Sequence, residues 1–274
     1  MFGTRMRAKR ETKRHLATLM ELLDRRVGLD SLTSLNEAFS ESKVSLKTHK
    51  VAFGVDTNVV LHLANHKNRA DILDFWARND AGPLIVPGQL VQEFWKNIDA
   101  LQGVSDSAIR NFGKLQDDLN KIEWIESEFQ EGVQAALDAF KQDYSPILED
   151  EFHAKLSSIV DGLKEAGRLV YAPRSEFSDI AVVRKQTKTP PGFKDKDFGD
   201  FFIWVDFLYG LLLELETGAE FDAVVLVTHD KKSDWSLGGR AHPILSSEIQ
   251  VLARKPFALW GLDRLTLEIR EFVG

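Results

Sequence analysis

The chain has 274 residues, 43% hydrophobic and 28% charged, enough to bury a sizeable core and unlike a disordered or fibrous polymer. It contains no cysteine, which excludes disulfides and thiolate-held zinc or iron–sulfur centres, so its chemistry rests on packing and oxygen ligands. A net charge of −7 argues against a surface that clings to nucleic acid throughout, but not against a local basic patch or carboxylate-bound cations.

Residues 1–50 open with Arg5, Arg7, Lys9, Arg10, Lys13 and Arg14 and continue as the helical pattern HLATLMELLDRR. A basic helical N-terminal arm is expected, and two readings of it stand side by side. It packs through Leu16, Leu19, Met20, Leu22 and Leu23, or it binds nucleic acid or a partner. At Val51 the texture changes: VAFGVDTNVVLHLA reads as a strand ending in a polar triplet and passing into a helix. A second strand, PLIVP at 83–87, leads into a helix with Leu90, Val91, Phe94 and Trp95 around Glu93.

Three helices are expected between about 103 and 170, on spacings such as Ile109, Phe112, Leu115, Leu119 and then Leu148, Phe152, Leu156, Ile159, Leu163. They form a helical insertion at about 103–183 that caps or walls a site. The basic residues Arg184, Lys185 and Lys188 follow, then TPPGFKDKDFGDFFIWVDFLYGLLLELE, in which Pro-Pro-Gly interrupts regular structure and Gly199-Asp200 opens an almost wholly apolar helix. DAVVLVTHD at 222–230 reads as a central parallel strand, SEIQVLA at 247–253 as a further strand, and LDRLTLEIREFV as a closing helix. The apolar run Phe201 to Leu213 carries Asp206 and is too short to span a bilayer, and no signal-peptide pattern opens the chain, so a cytoplasmic protein without membrane contact is expected.

Parallel strands put their polar C-terminal ends on one edge, and acids from separate regions are directed there. Asp56 follows the first strand, Asp230 ends a later one, Asp200 opens the buried helix, and Glu93 lies on the helix after the second strand. Each acid alone is more often a cap or turn residue, but together they form the oxygen-rich set that magnesium or manganese prefers. Lys194 and Lys196 are candidates for phosphate contact, or simply solvated loop residues.

The segments VDTNVVL (55–61), VPGQLVQEFWKN (86–97), PPGFKDKDFGDFFIW (190–204) and LVTHDKKSDW (226–235), in this order, resemble the motifs of PIN-like nucleases, above all a bacterial branch with a Pro-Pro-Gly-x-Lys-Asp element. The resemblance implies an α/β fold: a PIN-like parallel-sheet sandwich with helices on both faces, spanning 51–274. It further implies an endoribonuclease that uses Mg2+ or Mn2+ held by Asp56, Glu93, Asp200 and Asp230, with Asp234 as a further site acid and Asn58 and Thr228 in support. Arg184, Lys185, Lys194 and Lys196 are the nucleic-acid-binding candidates, while Asp195, Asp197 and Asp206 rank below the four acids. The substrate implied is RNA, with single-stranded DNA as a second candidate, and a toxin or phage-defence role would add an antitoxin or defence-system partner. The sequence departs from the family pattern at His229, where a second polar or acidic residue is common, and at Lys96-Asn97 in place of an arginine. The alternatives are an inactive PIN-like module that binds RNA or protein, and a phosphatase with Asp56 as nucleophile. The latter wants a second aspartate two residues on, where Asn58 stands.

Overall fold

The computed structural model describes residues 2–40, 44–78, 80–121, 127–148 and 152–274. The first helix, α1 (Phe2–Leu23), is followed by α2 (Ser31–Glu37) and then by the opening strand β1 (Val51–Val55). α3 (Thr57–Leu63) and α4 (Arg69–Trp76) lead to β2 (Leu84–Pro87), after which α5 (Gly88–Asn120), α6 (Ser127–Leu148) and α7 (Phe152–Ala166) precede β3 (Gly167–Val170). α8 (Arg174–Gln186), α9 (Gly199–Glu216) and β4 (Ala223–Val227) come next. A short hairpin, β5 (Ser236–Leu237) and β6 (Arg240–Ala241), then α10 (Pro243–Ala253), β7 (Phe257–Trp260) and α11 (Leu262–Val273) complete the chain.

Five strands form one parallel sheet in the order β3-β2-β1-β4-β7. β1 and β4 are its centre and pair along their whole length, and every residue of both is buried. Helices on both faces explain why these strands read as continuous apolar runs rather than alternating ones. Side chains still alternate by face: Val51, Phe53 and Val55 join α3, α4, α5, α7 and α11 in one core, while Ala52 and Ile85 join α1, α8, α9 and α10 in the other. This is the α/β, PIN-like sandwich that the motif order implied.

α9 is sandwiched so fully that Phe201, Ile203, Trp204, Val205, Phe207, Leu208 and Leu211 are all buried. Leu19, Leu22 and Leu23 of α1 belong to the same core, so the apolar stripe of the N-terminal segment packs on the sheet's helical layer. The side chains of Arg5, Arg7, Lys9 and Arg10 lie outside the described residues, as do those of Ile109, Leu148 and Phe152.

Three element assignments are corrected. SEIQVLA is not a strand but the body of α10: its alternation of Ile249, Val251 and Ala253 suits either period, and the ends decide. Pro243 sits at the first turn, the His242 ring accepts the Ile244 N–H, and Arg254 closes the helix in the left-handed conformation. The last strand is instead β7, Phe257–Trp260. The helix carrying Glu93 does not stop near 103 but runs on through Gly103 to Asn120. Within 103–183, β3 is an edge strand beside β2, short and exposed at Arg168 and Leu169, which left its pattern unreadable.

Candidate active site

The full-length pairing of β1 with β4 sets the ends of these two strands side by side, so the residues that leave them meet. Asp56 caps the N-terminus of α3, its Oδ1 accepting the Thr57 N–H at 2.6 Å. Its Oδ2 accepts the Thr228 hydroxyl at 2.7 Å, and that hydroxyl accepts the Asp230 N–H at 3.0 Å. Thr228 is thus the tie between the two acids. Asn58 is half-buried in the first turn of α3 and makes no side-chain hydrogen bond among the described residues.

Glu93 rises from α5, its Oε1 accepting the Gln89 amide at 3.2 Å. A side chain on Gly199 would put its Cβ 2.2 Å from that Oε1, so the start of α9 lies directly against the Glu93 carboxylate. Asp200, the next residue, accepts the Trp235 indole N–H at 2.7 Å. The electrostatics carry the same proximity. Burial pushes the Asp56 carboxyl up to about 6, and repulsion from Glu93 and Asp230 adds to this against the opposing hydrogen bonds from Thr228 and Thr57. Burial likewise pushes Asp200 up to about 8, helped by its hydrogen-bonded neighbour Asp195 and by Asp56.

One participant was not foreseen and one was ranked low. Lys232 places its Nζ 2.6 Å from Asp195 Oδ1, 3.0 Å from Asp200 Oδ2 and 2.8 Å from Asp230 Oδ2. Asp195, ranked below the four acids from sequence, therefore joins them. Burial opposes its ionisation, but hydrogen bonds with Asp200 and Lys232 outweigh this and lower its pKa. The only sequence signal for either residue was membership of a motif. Among the described residues, no three histidine, aspartate or glutamate side chains are already drawn together as a metal site, and the Lys232 ammonium takes the contacts with three of the acids.

Other candidates fall elsewhere. Asp234 is fully buried, and its Oδ2 accepts the N–H groups of Gly192 (3.1 Å) and Lys194 (3.2 Å), organising the Pro-Pro-Gly loop. Gly192 has φ +84, a left-handed conformation that favours glycine at this turn. Asp197 caps α9 through the Gly199 N–H. Asp206 is buried and fully partnered, in a two-pronged pair with Arg174 at 2.6 and 2.8 Å and accepting the backbone N–H groups of Ala172 and Gln89.

Arg184 is corrected outright as a nucleic-acid contact. It is 3% exposed, pairs with the buried Glu248 at 2.7 Å and donates to the carbonyls of Leu23 and Pro190. Lys185 donates to the carbonyls of Lys196 (2.8 Å) and Asp197 (3.3 Å), which ties down the loop. Lys194 and Lys196 are exposed on that loop. His229 lies beside His62 with ring centroids 4.6 Å apart and the rings tilted by 60°, and burial followed by the His62 charge lowers its pKa.

The fold and site together define a parallel α/β domain whose central strands deliver carboxylates to their C-terminal edge. A family model described as a PIN like domain matches residues 113–247, and over that stretch the chain is similar to a family whose members are generally nucleases and typically use divalent metals. The match takes in Asp195, Asp200, Asp230 and Asp234 and stops short of Asp56 and Glu93, which the sheet and α5 bring in. No curated protein and no solved structure matches the chain significantly. No helix among the described residues is long and apolar enough to cross a membrane.

Proposed function

We propose that the chain is a metal-dependent endoribonuclease that hydrolyses phosphodiester bonds at the edge formed by Asp56, Glu93, Asp200 and Asp230. The observation that carries this reading is the gathering of acids from four separated segments in a partly buried edge, where burial first and repulsion second raise the Asp56 and Asp200 carboxyls above their ordinary pKa. Structural acids are normally paired off, as Asp206 is with Arg174. Here several acids share the single Lys232 ammonium, and Asp56 and Glu93 repel across the same edge, an arrangement that a bound cation would relieve.

The donor set fits a hard divalent ion. It consists of carboxylate oxygens, and Asp195 Oδ2 is a buried acceptor with no hydrogen-bond partner in the described structure. Asp56, Glu93, Asp200 and Asp230 would hold the ion, with Asp195 at their margin. When bound, magnesium or manganese lowers the pKa of water and draws off negative charge that develops on the phosphoryl group. The chain's own residues fix the geometry. Thr228 and Thr57 orient Asp56, Trp235 orients Asp200, and Gln89 orients Glu93, so that few rotamers need be lost when substrate arrives. Lys194 and Lys196, exposed on the adjoining loop, supply phosphate contacts for an RNA strand.

The test is cleavage of end-labelled single-stranded RNA and of the matching DNA strand, with Mn2+ and with EDTA. RNA cleavage that needs Mn2+ and leaves 5′-phosphate ends is expected. Preferred cleavage of DNA would move the substrate class. RNA binding without cleavage of either strand would establish the inactive binding module instead.

A further inference from the structure

We propose that Lys232 is an internal counter-cation, which competes with the divalent ion for Asp195, Asp200 and Asp230 and is displaced when that ion binds. The inference rests on the nuclease reading above and adds to it a residue that governs metal entry.

Three ion pairs converge on one ammonium, and they come from three elements: the loop before α9, the first turn of α9, and the segment leaving β4. A surface lysine ordinarily pairs with one acid, weakly, because water competes for both partners. Here the carboxylates are largely withdrawn from water, with side-chain exposures of 23% for Asp195, 17% for Asp200 and 5% for Asp230. The shared ammonium offsets repulsion among them.

The same atoms cannot fully serve both cations. Asp200 Oδ2 already accepts from Lys232 and from the Trp235 indole, and Asp230 is held from both sides by Lys232, through its ammonium and through its backbone N–H at 2.7 Å. A divalent ion entering among these oxygens meets a like charge at hydrogen-bond range from its own ligands. The ammonium can yield: the side chain is 36% exposed, its stem is flexible, and the backbone anchor to Asp230 Oδ1 does not depend on where the ammonium points. Lys232 would then let the acids stay folded and partly neutralised without metal, and would set a threshold that only a cation of higher charge overcomes.

The experiment uses the full chain stripped of metal, as wild type, Lys232→Met and Lys232→Arg, with Mn2+ binding measured by titration calorimetry. Removing a competing charge from the ligand shell should tighten Mn2+ binding by about tenfold or more in Lys232→Met, while Lys232→Arg stays near wild type. A second readout uses wild type alone: acetylation of Lys232 by acetic anhydride, followed by mass spectrometry, should rise several-fold at saturating Mn2+ relative to Lys194 and Lys196. This readout stands even where Lys232→Met does not fold. Equal or weaker Mn2+ binding by a folded Lys232→Met, or Lys232 labelling that Mn2+ leaves unchanged or lowers, would overturn the inference and leave the nuclease reading intact. Absence of Mn2+ binding in wild type together with absence of RNA cleavage would overturn both.

Discussion

Replacing Asp56 by asparagine should stabilise the metal-free protein at alkaline pH while abolishing the proposed metal-dependent cleavage. Asp56 titrates at about 6 in the folded protein against an ordinary 3.8. At about 1.4 kcal/mol for each pH unit of that gap, the folded state forfeits about 3 kcal/mol by ionising Asp56. The sign follows from proton binding. Between pH 4 and 6 the folded chain holds a proton on Asp56 that the unfolded chain has released, so the contribution of Asp56 to stability is greatest below pH 4 and is lost as pH rises through 6. The substituted asparagine carries no charge to bury. Its carbonyl can take the Thr228 hydroxyl, and its NH2 then faces the Thr57 N–H, a lost hydrogen bond of about 1 kcal/mol. The net expectation is near-equal stability at pH 4 and an advantage of about 2 kcal/mol for Asp56→Asn at pH 8. Urea melts in EDTA from pH 4 to 8 measure this. Saturating Mn2+ should reverse the order, because only the wild type gains the full stabilisation from binding, about 2.7 kcal/mol at one hundred times Kd. A variant less stable than wild type by the same amount at every pH would refute the account of Asp56 as a buried, repelled carboxylate.

Thr228→Val removes the hydroxyl that ties Asp56 to Asp230, and about a 10- to 100-fold loss of Mn2+ affinity or cleavage rate is expected, read by calorimetry and single-turnover kinetics. Gly199→Ala drives a methyl into Glu93 Oε1, and because the far end of that side chain can swing away, cleavage should fall while the melting temperature barely moves. Arg184→Met strands the buried Glu248 with only the Trp204 indole and should destabilise by about 3–5 kcal/mol in urea melts. The salt dependence of RNA binding should be unchanged in that variant, since Arg184 faces no solvent.

The central strands and the positions of Asp56 and Asp230 beyond their ends were legible because a buried parallel strand is a continuous apolar run with a polar end, and such ends share one edge, while Asp200 was legible as the polar opening of an apolar helix. Glu93 was legible only as a carboxylate among apolar helix neighbours, a signal of position without direction. What sequence could not supply was partnership. Arg184 and Lys194 look alike as basic residues near a Pro-Pro-Gly turn, yet one is buried against Glu248 and the other is exposed. Asp234 and Asp230 are four residues apart in one motif, but a tight turn aims one at loop amides and the other at Lys232. The edge strand β3 and the helix α10 were missed for the same reason: short apolar alternation has no unique period, and capping contacts or pairing with β2 settle it.

The central claim is that acids from four distant segments act as one hydrolytic site. It is tested most directly by single-turnover cleavage of labelled RNA in Mn2+ by wild type and by Asp56→Asn, Glu93→Gln, Asp200→Asn and Asp230→Asn. The account predicts that each variant remains folded and loses cleavage by roughly two orders of magnitude or more, comparably across the four because groups that act as a unit are not additive. Undiminished cleavage in any two of the folded variants, or cleavage that persists in EDTA, would contradict it.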